Sequence, residues 1–157
     1  MWLLHNWKGN QMKNTILFYY SVHHGNTKKI VKALEARFGI TLVRVPCDEL
    51  PSLEAYGLVG FASGVYMSEF GKPLLDLANR LQLEGKDCFT LYTCGAVSGK
   101  YDGRFVKLLE SKGANVVGRF HCRGYDTFGP FKLVGGIAKD RPDEADVADA
   151  IRFFEKL

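Results

Sequence analysis

The sequence contains no apolar run near membrane-spanning length, no paired-cysteine spacing and no basic cluster, and each absence closes a class of function. A membrane-spanning helix needs about 20 consecutive apolar residues, so none is expected and no membrane partner is expected. The Trp2-Leu3-Leu4 run is cut by His5 and Asn6, too early for the apolar core of a secretory signal. A cytoplasmic location is the resulting expectation. The four cysteines, Cys47, Cys88, Cys94 and Cys122, show no C-x-x-C spacing, so neither a zinc site nor a redox dithiol is expected. Free thiols in a reducing compartment fit them better. The 21 Lys and Arg exceed the 17 Asp and Glu, for a net charge of +4. They are scattered and match no nucleic-acid module, so no nucleic-acid partner is expected. A mild positive field suits a solvated surface and also an anionic small ligand.

Several phosphate-binding signatures are missing too. G-x-x-x-x-G-K-[ST] is absent, which excludes a P-loop NTPase. No G-x-G-x-x-G follows the first strand, which argues against a dinucleotide fingerprint. The carboxylates a receiver domain needs at the end of that strand are replaced by Tyr19, Tyr20 and Ser21. No acid–base pair, activated nucleophile or metal-ligand spacing stands out, so no catalytic residue and no metal ligand is assigned.

What is present is alternation. Residues 1–13 show no sustained periodicity and are expected to form an N-terminal extension outside the fold. Residues 14–157 are expected to form one domain, which suits the length of 157 residues. Thr15–Tyr20 is a short apolar run of β formers, as in a strand buried on both faces. Asn26–Phe38 carries Ile30, Val31, Leu34 and Phe38 on one helical stripe, and Gly39 stands where a C-cap glycine belongs. Strands are predicted at 40–45, 57–62, 88–93 and 116–121, and helices at 73–83 and 101–112. About one helical turn fits between the second and third strands. A last helix is signalled by Pro142 in its first turn and by Asp143, Glu144 and Asp146.

This order predicts an α/β fold of three layers, a doubly wound five-stranded parallel sheet with helices on both faces. Strand order 2-1-3-4-5 is expected, with a ligand beyond the carboxyl ends of the strands where the order reverses, between strands 1 and 3. The loop after strand 1, Ser21 to Thr27, is a polar turn leading into a helix. Backbone N–H groups at such a start favour an anion, and Ser21, Asn26 and Thr27 add side-chain donors. A plain turn in which Asn26 or Thr27 caps the helix is the alternative. Lys28 and Lys29 favour the anion, because cations in a first helical turn are disfavoured by about 0.3–1 kcal/mol.

Four segments resemble the flavodoxin family. Y-Y-S-V-H-H-G-N-T-K-K-I at 19–30 is similar to its phosphate loop, [ST]-x-T-G-x-T, with paired histidines as in one microbial branch. G-F-A-S-G-V-Y at 60–66, F-H-C-R-G-Y-D-T-F-G-P at 120–130 and G-G-I-A-K-D-R-P-D-E-A-D at 135–146 are similar to the same branch. The resemblance spans about residues 14–157 and implies a flavodoxin-like fold with bound flavin mononucleotide (FMN). It implies a phosphate held by Ser21, His23, His24, Gly25, Asn26 and Thr27. The isoalloxazine would lie along Ala62, Ser63, Gly64, Val65 and Tyr66, with Gly64 at a peptide that flips on reduction and Tyr66 a stacking ring. Thr93, Cys94 and Gly95 would form the next wall, with Tyr101 a candidate for the outer flavin face. Tyr125, Asp126, Thr127, Phe128 and Phe131 would close over the flavin, meet a partner or form a packed surface loop. The function implied is electron transfer between redox partner proteins. The alternatives are an FMN-dependent reductase of quinones or other small acceptors using NAD(P)H, and a flavin-free binding or regulatory module.

Overall fold

The structure, a computed structural model, describes residues 12–96, 100–127 and 129–157. The predicted extension up to residue 11, the stretch 97–99 and Phe128 therefore lie outside the described residues.

Among the described residues six strands are present: β1 Thr15–Tyr20, β2 Thr41–Arg44, β3 Leu58–Tyr66, β4 Glu69–Phe70, β5 Asp87–Cys94 and β6 Asn115–Arg123. The α-helices among the described residues are α1 Asn26–Phe38, α2 Lys72–Arg80 and α3 Gly103–Ser111, which lie between strands, and α4 Glu144–Glu155, which follows the last strand. Five strands run parallel in the order β2-β1-β3-β5-β6. With the small antiparallel β4 set aside, this is the predicted order 2-1-3-4-5.

Two apolar layers hold the sheet. Ile16, Phe18, Phe61 and Leu77 belong to one cluster, which includes residues of α2 and α3. Leu17, Ile30, Leu34, Phe89 and Phe154 belong to the other, with α1 and α4. Alternate residues of β1 thus face opposite layers, as the period of a strand requires. Phe18, Phe61, Phe89 and Phe105 are fully buried, each contributing about 1.5–3 kcal/mol over exposure.

The structure changes four local expectations. The segment between β2 and β3 forms turns and bends with no helix. Pro51 stands mid-segment, where a proline interrupts a helical hydrogen-bond run. The third strand does not end at Ala62 but runs on to Tyr66. It then folds back through Met67 (φ 50) and Ser68 (φ 66) into β4, pairing Val65 with Phe70 and Tyr66 with Glu69. Two consecutive positive φ values are the signature of a hairpin turn, here without the usual glycine or asparagine. Pro142 stands before α4 rather than in it, and Asp143 is the N-cap. Its carboxylate accepts from Asp146 N–H while Asp146 accepts from Asp143 N–H, a reciprocal capping box. Neither Asn26 nor Thr27 caps α1, whose N-cap is Gly25.

Lys13, expected in the extension, reaches the sheet. Its ammonium lies 2.7 Å from Asp87 at the start of β5.

Candidate functional site

The loops at the carboxyl ends of β1, β3, β5 and β6 meet at one end of the sheet. The chain leaves β1 at Tyr20 and turns into α1 through His24 (φ 54) and Gly25 (φ 65), both left-handed. Only glycine adopts this conformation without strain. Open space surrounds the position a Gly25 Cβ would take, so conformation rather than crowding demands the glycine.

The hydrogen-bond accounting of this turn is the central observation. Lys29 N–H donates to Gly25 O at 2.9 Å, and Lys28 N–H donates to Ser21 Oγ at 3.3 Å. Val22 N–H donates to the Tyr66 hydroxyl at 3.3 Å. The N–H groups of His23, His24, Gly25, Asn26 and Thr27 have no acceptor among the described residues. An uncapped helix start with no acidic residue in its first turn concentrates positive potential there.

The side chains divide their work. His23 faces Tyr66 with ring centroids 5.6 Å apart. The His24 ring lies 4.2 Å from that of Tyr125, and its Nε2 is 3.1 Å from Thr127 Oγ1. Asn26 donates through Nδ2 to Tyr125 O at 2.8 Å. Thr27 is buried, with its hydroxyl 2.9 Å from that of Thr93. Asn26 and Thr27 thus fasten the turn to β5 and to the loop after β6, and it is backbone groups that remain free.

The second expected wall is a hairpin. Ala62 and Ser63 are buried within β3. Ser63 Oγ donates to Gly64 O at 2.6 Å and accepts Gly71 N–H at 3.0 Å, which locks the hairpin base. Tyr66 folds back along its own strand, and a Cβ on Gly64 would come within 2.9 Å of its hydroxyl oxygen. Burial pushes the Tyr66 phenol pKa up, with only partial relief from the Val22 N–H.

Thr93 and Cys94 also belong to a strand, and both are buried. Burial raises the Cys94 thiol pKa and leaves it a poor nucleophile. Gly95 O accepts Arg123 Nε at 3.1 Å and Nη2 at 2.9 Å, and the Asp126 side chain fills the place of a Gly95 Cβ. Tyr101 stands before α3 and packs edge-on against Tyr92, with centroids 6.0 Å apart. Asp102 is not a free acid beside these loops. Burial would raise its carboxyl, but bonds from Arg119 and Thr90, together with the charge of Arg119, outweigh that and hold the pKa low.

The loop after β6 is laced into the site. Tyr125 N–H donates to Arg141 O at 2.9 Å, and Asp126 pairs with Ile137 through bonds of 3.0 and 2.8 Å. Phe131 lies in the 3-10 turn Gly129–Val134, partly exposed. Beside this loop opens a cavity of about 340 Å³, bounded by His24, Gly25, Lys29, Tyr125, Lys139 and Arg141 among others. Sequence reasoning did not single out Lys139 or Arg141 as individual residues. Their only sequence signal is the G-G-I-A-K-D-R-P segment itself. Among the described residues no group of His, Cys, Asp or Glu is arranged to hold a metal. No helix among them is long and apolar enough to cross a membrane.

Fold and loop arrangement together define a flavodoxin-like α/β protein. Solved structures share the architecture. Two-electron reduced Megasphaera elsdenii flavodoxin matches with a TM-score of 0.60 at 17% identity, over 90% of this chain and 99% of that one. The flavodoxin WrbA-like protein from Agrobacterium tumefaciens matches with a TM-score of 0.64 at 15% identity, over 92% and 94% of the two chains. A flavoprotein in complex with FMN from Lactobacillus acidophilus NCFM gives 0.54 at 17% identity, over 69% and 93%. No protein-family model matches the chain. In sequence it is 31% identical over 144 residues to the uncharacterized protein MJ0298 of Methanocaldococcus jannaschii, covering 90% of this chain and 96% of that one. The chain belongs to the same family as this archaeal protein.

Proposed function

We propose that the protein binds FMN non-covalently and passes electrons between redox partner proteins, with a paired-histidine version of the flavodoxin phosphate loop. The observation that carries this reading is the run of free N–H groups from His23 to Thr27 at the uncapped start of α1. Five donors without acceptors among the described residues, beside a helix N-terminus, suit a doubly charged phosphate ester. Their position, where the strand order reverses between β1 and β3, is where ligands of such sheets bind. The flavin supplies reversible electron transfer when bound, and the protein supplies binding, orientation and electrostatics.

The residues would act as follows. Backbone N–H groups of 23–27 hold the phosphate, and Ser21 keeps the turn in shape through Lys28. His23 and His24 add imidazole donors beside the turn. Gly64, Tyr66 and Gly95 border the ring site, where glycines let backbone approach a flat ligand closely. Asp102 is neutralised by Arg119, so little negative charge faces these loops. The weak penalty on a reduced, anionic ligand argues against a very low reduction potential.

An absorption spectrum of the fresh protein, followed by FMN titration, tests the proposal. Flavin bands and saturable quenching of FMN fluorescence are expected. A colourless protein that leaves added FMN fluorescent would point instead to a flavin-free module. Rapid oxidation of NADPH or NADH by the flavin-loaded protein would point to a reductase.

A further inference from the structure

The cavity beside α1 has two properties that the flavin reading does not use. The first is its placement. It opens on His24, Gly25, Asn26 and Lys29, but not on Ser21 or on the His23–Tyr66 ring pair that borders the turn on the hairpin side. The His24–Tyr125 ring pair belongs to its wall.

The second is its charge. Lys29, Lys139 and Arg141 come from separate stretches of chain, and Asp140 is the one carboxylate among the lining residues. Lys29 Nζ donates to Pro142 O at 2.5 Å, which holds the ammonium at the rim. Arg141 is oriented by Asp146 at 2.5 Å and lies 3.5 Å from Asp143. Both of these acids are also engaged in the α4 cap. Lys139 has no carboxylate or hydrogen-bond partner among the described residues. A volume of about 340 Å³ falls in the usual size range of small-ligand sites.

We propose that this cavity is a second anion site, taking a phosphate or pyrophosphate group of a ligand other than the flavin. It rests on the flavin reading only in being assigned to a second molecule. Lys139 is a cation without a partner among the described residues, Lys29 and the oriented Arg141 supply the flanking charge, and the cavity adjoins the phosphate turn along His24, Gly25 and Asn26. Such a group could come from a nucleotide electron donor or from a free inorganic anion.

The test uses inorganic pyrophosphate, titrated calorimetrically into the protein with and without saturating FMN. Binding to both forms is expected. Lys139→Gln should weaken it at least fivefold, and Lys139→Arg should restore it, while FMN affinity stays within twofold. Displacement of pyrophosphate by NADPH would trace the group to a dinucleotide. Persistence of pyrophosphate against NADPH would leave the inorganic anion as the ligand. Loss of pyrophosphate binding on FMN saturation would make the cavity the flavin's own phosphate seat and overturn the proposal. Unchanged affinity in Lys139→Gln would overturn it as well. If the protein takes no FMN at all, the flavin reading falls by itself, and the Lys139 comparison on the flavin-free protein still decides this one.

Discussion

The hydroxyls of Thr27 and Thr93 lie 2.9 Å apart, both buried, and join the first turn of α1 to the last turn-facing residues of β5. Two loops that would share one ligand are thus held in register by a single polar contact inside the fold. Thr27→Val leaves the Thr93 hydroxyl buried without its partner, at a cost of about 1–3 kcal/mol. The Thr27→Val, Thr93→Val double variant removes both hydroxyls at nearly constant shape. It should cost less than the sum of the singles, because no orphaned group remains. Urea unfolding of the four proteins measures the coupling. Strict additivity would mean that the hydroxyls act independently.

Acid should weaken the fold through Asp102. Its carboxyl is 2% exposed and sits against Arg119, which with Thr90 holds its pKa below the ordinary carboxylate value despite burial. The folded-state pKa is depressed, so the stabilisation is fully present above the unfolded value of about 3.9. It is lost as pH falls through the lowered folded value. Asp146, held low by Arg141, adds in the same direction. Asp102→Asn should therefore lose less stability than wild type on acidification below about pH 4. Arg119→Leu leaves a buried charge without its cation and should cost about 3 kcal/mol at neutral pH. Urea midpoints across pH 3 to 7 read both effects, the acid one reaching no more than about 1 kcal/mol by pH 3. Parallel pH profiles for Asp102→Asn and wild type would rule the Asp102 contribution out.

The thiols should react unequally. Cys88, Cys94 and Cys122 are buried, while Cys47 is partly exposed. Burial pushes Cys88 and Cys122 up to about 12, with the charge of Asp87 or Asp146 adding to it. At pH 8 Cys47 should modify first with a thiol reagent, and the others only on unfolding. Mass mapping of the labelled cysteine checks this. Early labelling of Cys94 would show that its strand end opens in solution.

The layered fold was legible in the sequence because its signals are redundant. Thr15–Tyr20 and Asn26–Phe38 have the bounds their patterns suggest, since an apolar run and a 3.6-residue stripe each repeat their own evidence. Residues 63–66 were not legible as strand. Their small residues and glycine read as a loop, while pairing with Glu69 and Phe70 outweighs weak local propensity. The site was legible as a turn, Ser21 to Thr27, but not in its division of labour. Nothing in the spacing of Asn26 and Tyr125 indicates that they bond across 99 residues. Nor does any sequence pattern indicate that Arg119 and Thr90 stand against Asp102.

Gly25 gives the sharpest separation between a phosphate turn and a plain turn. Its φ of 65 is left-handed, and a Cβ there would touch nothing, so Gly25→Ala acts on backbone conformation alone. Relaxing that strain, about 1–2 kcal/mol, would rotate peptides whose N–H groups are the proposed phosphate donors. FMN affinity should fall about tenfold, equivalent to about 1.4 kcal/mol. Riboflavin, which has the ring but no phosphate, should be affected less than twofold. Gly64→Ala serves as the opposite case. Its Cβ would press on the Tyr66 hydroxyl end, at the proposed ring site, and should weaken FMN and riboflavin alike. Fluorescence titration of both ligands against both variants settles the assignment. If Gly25→Ala weakens the two ligands equally, the free N–H groups of 23–27 do not hold a phosphate.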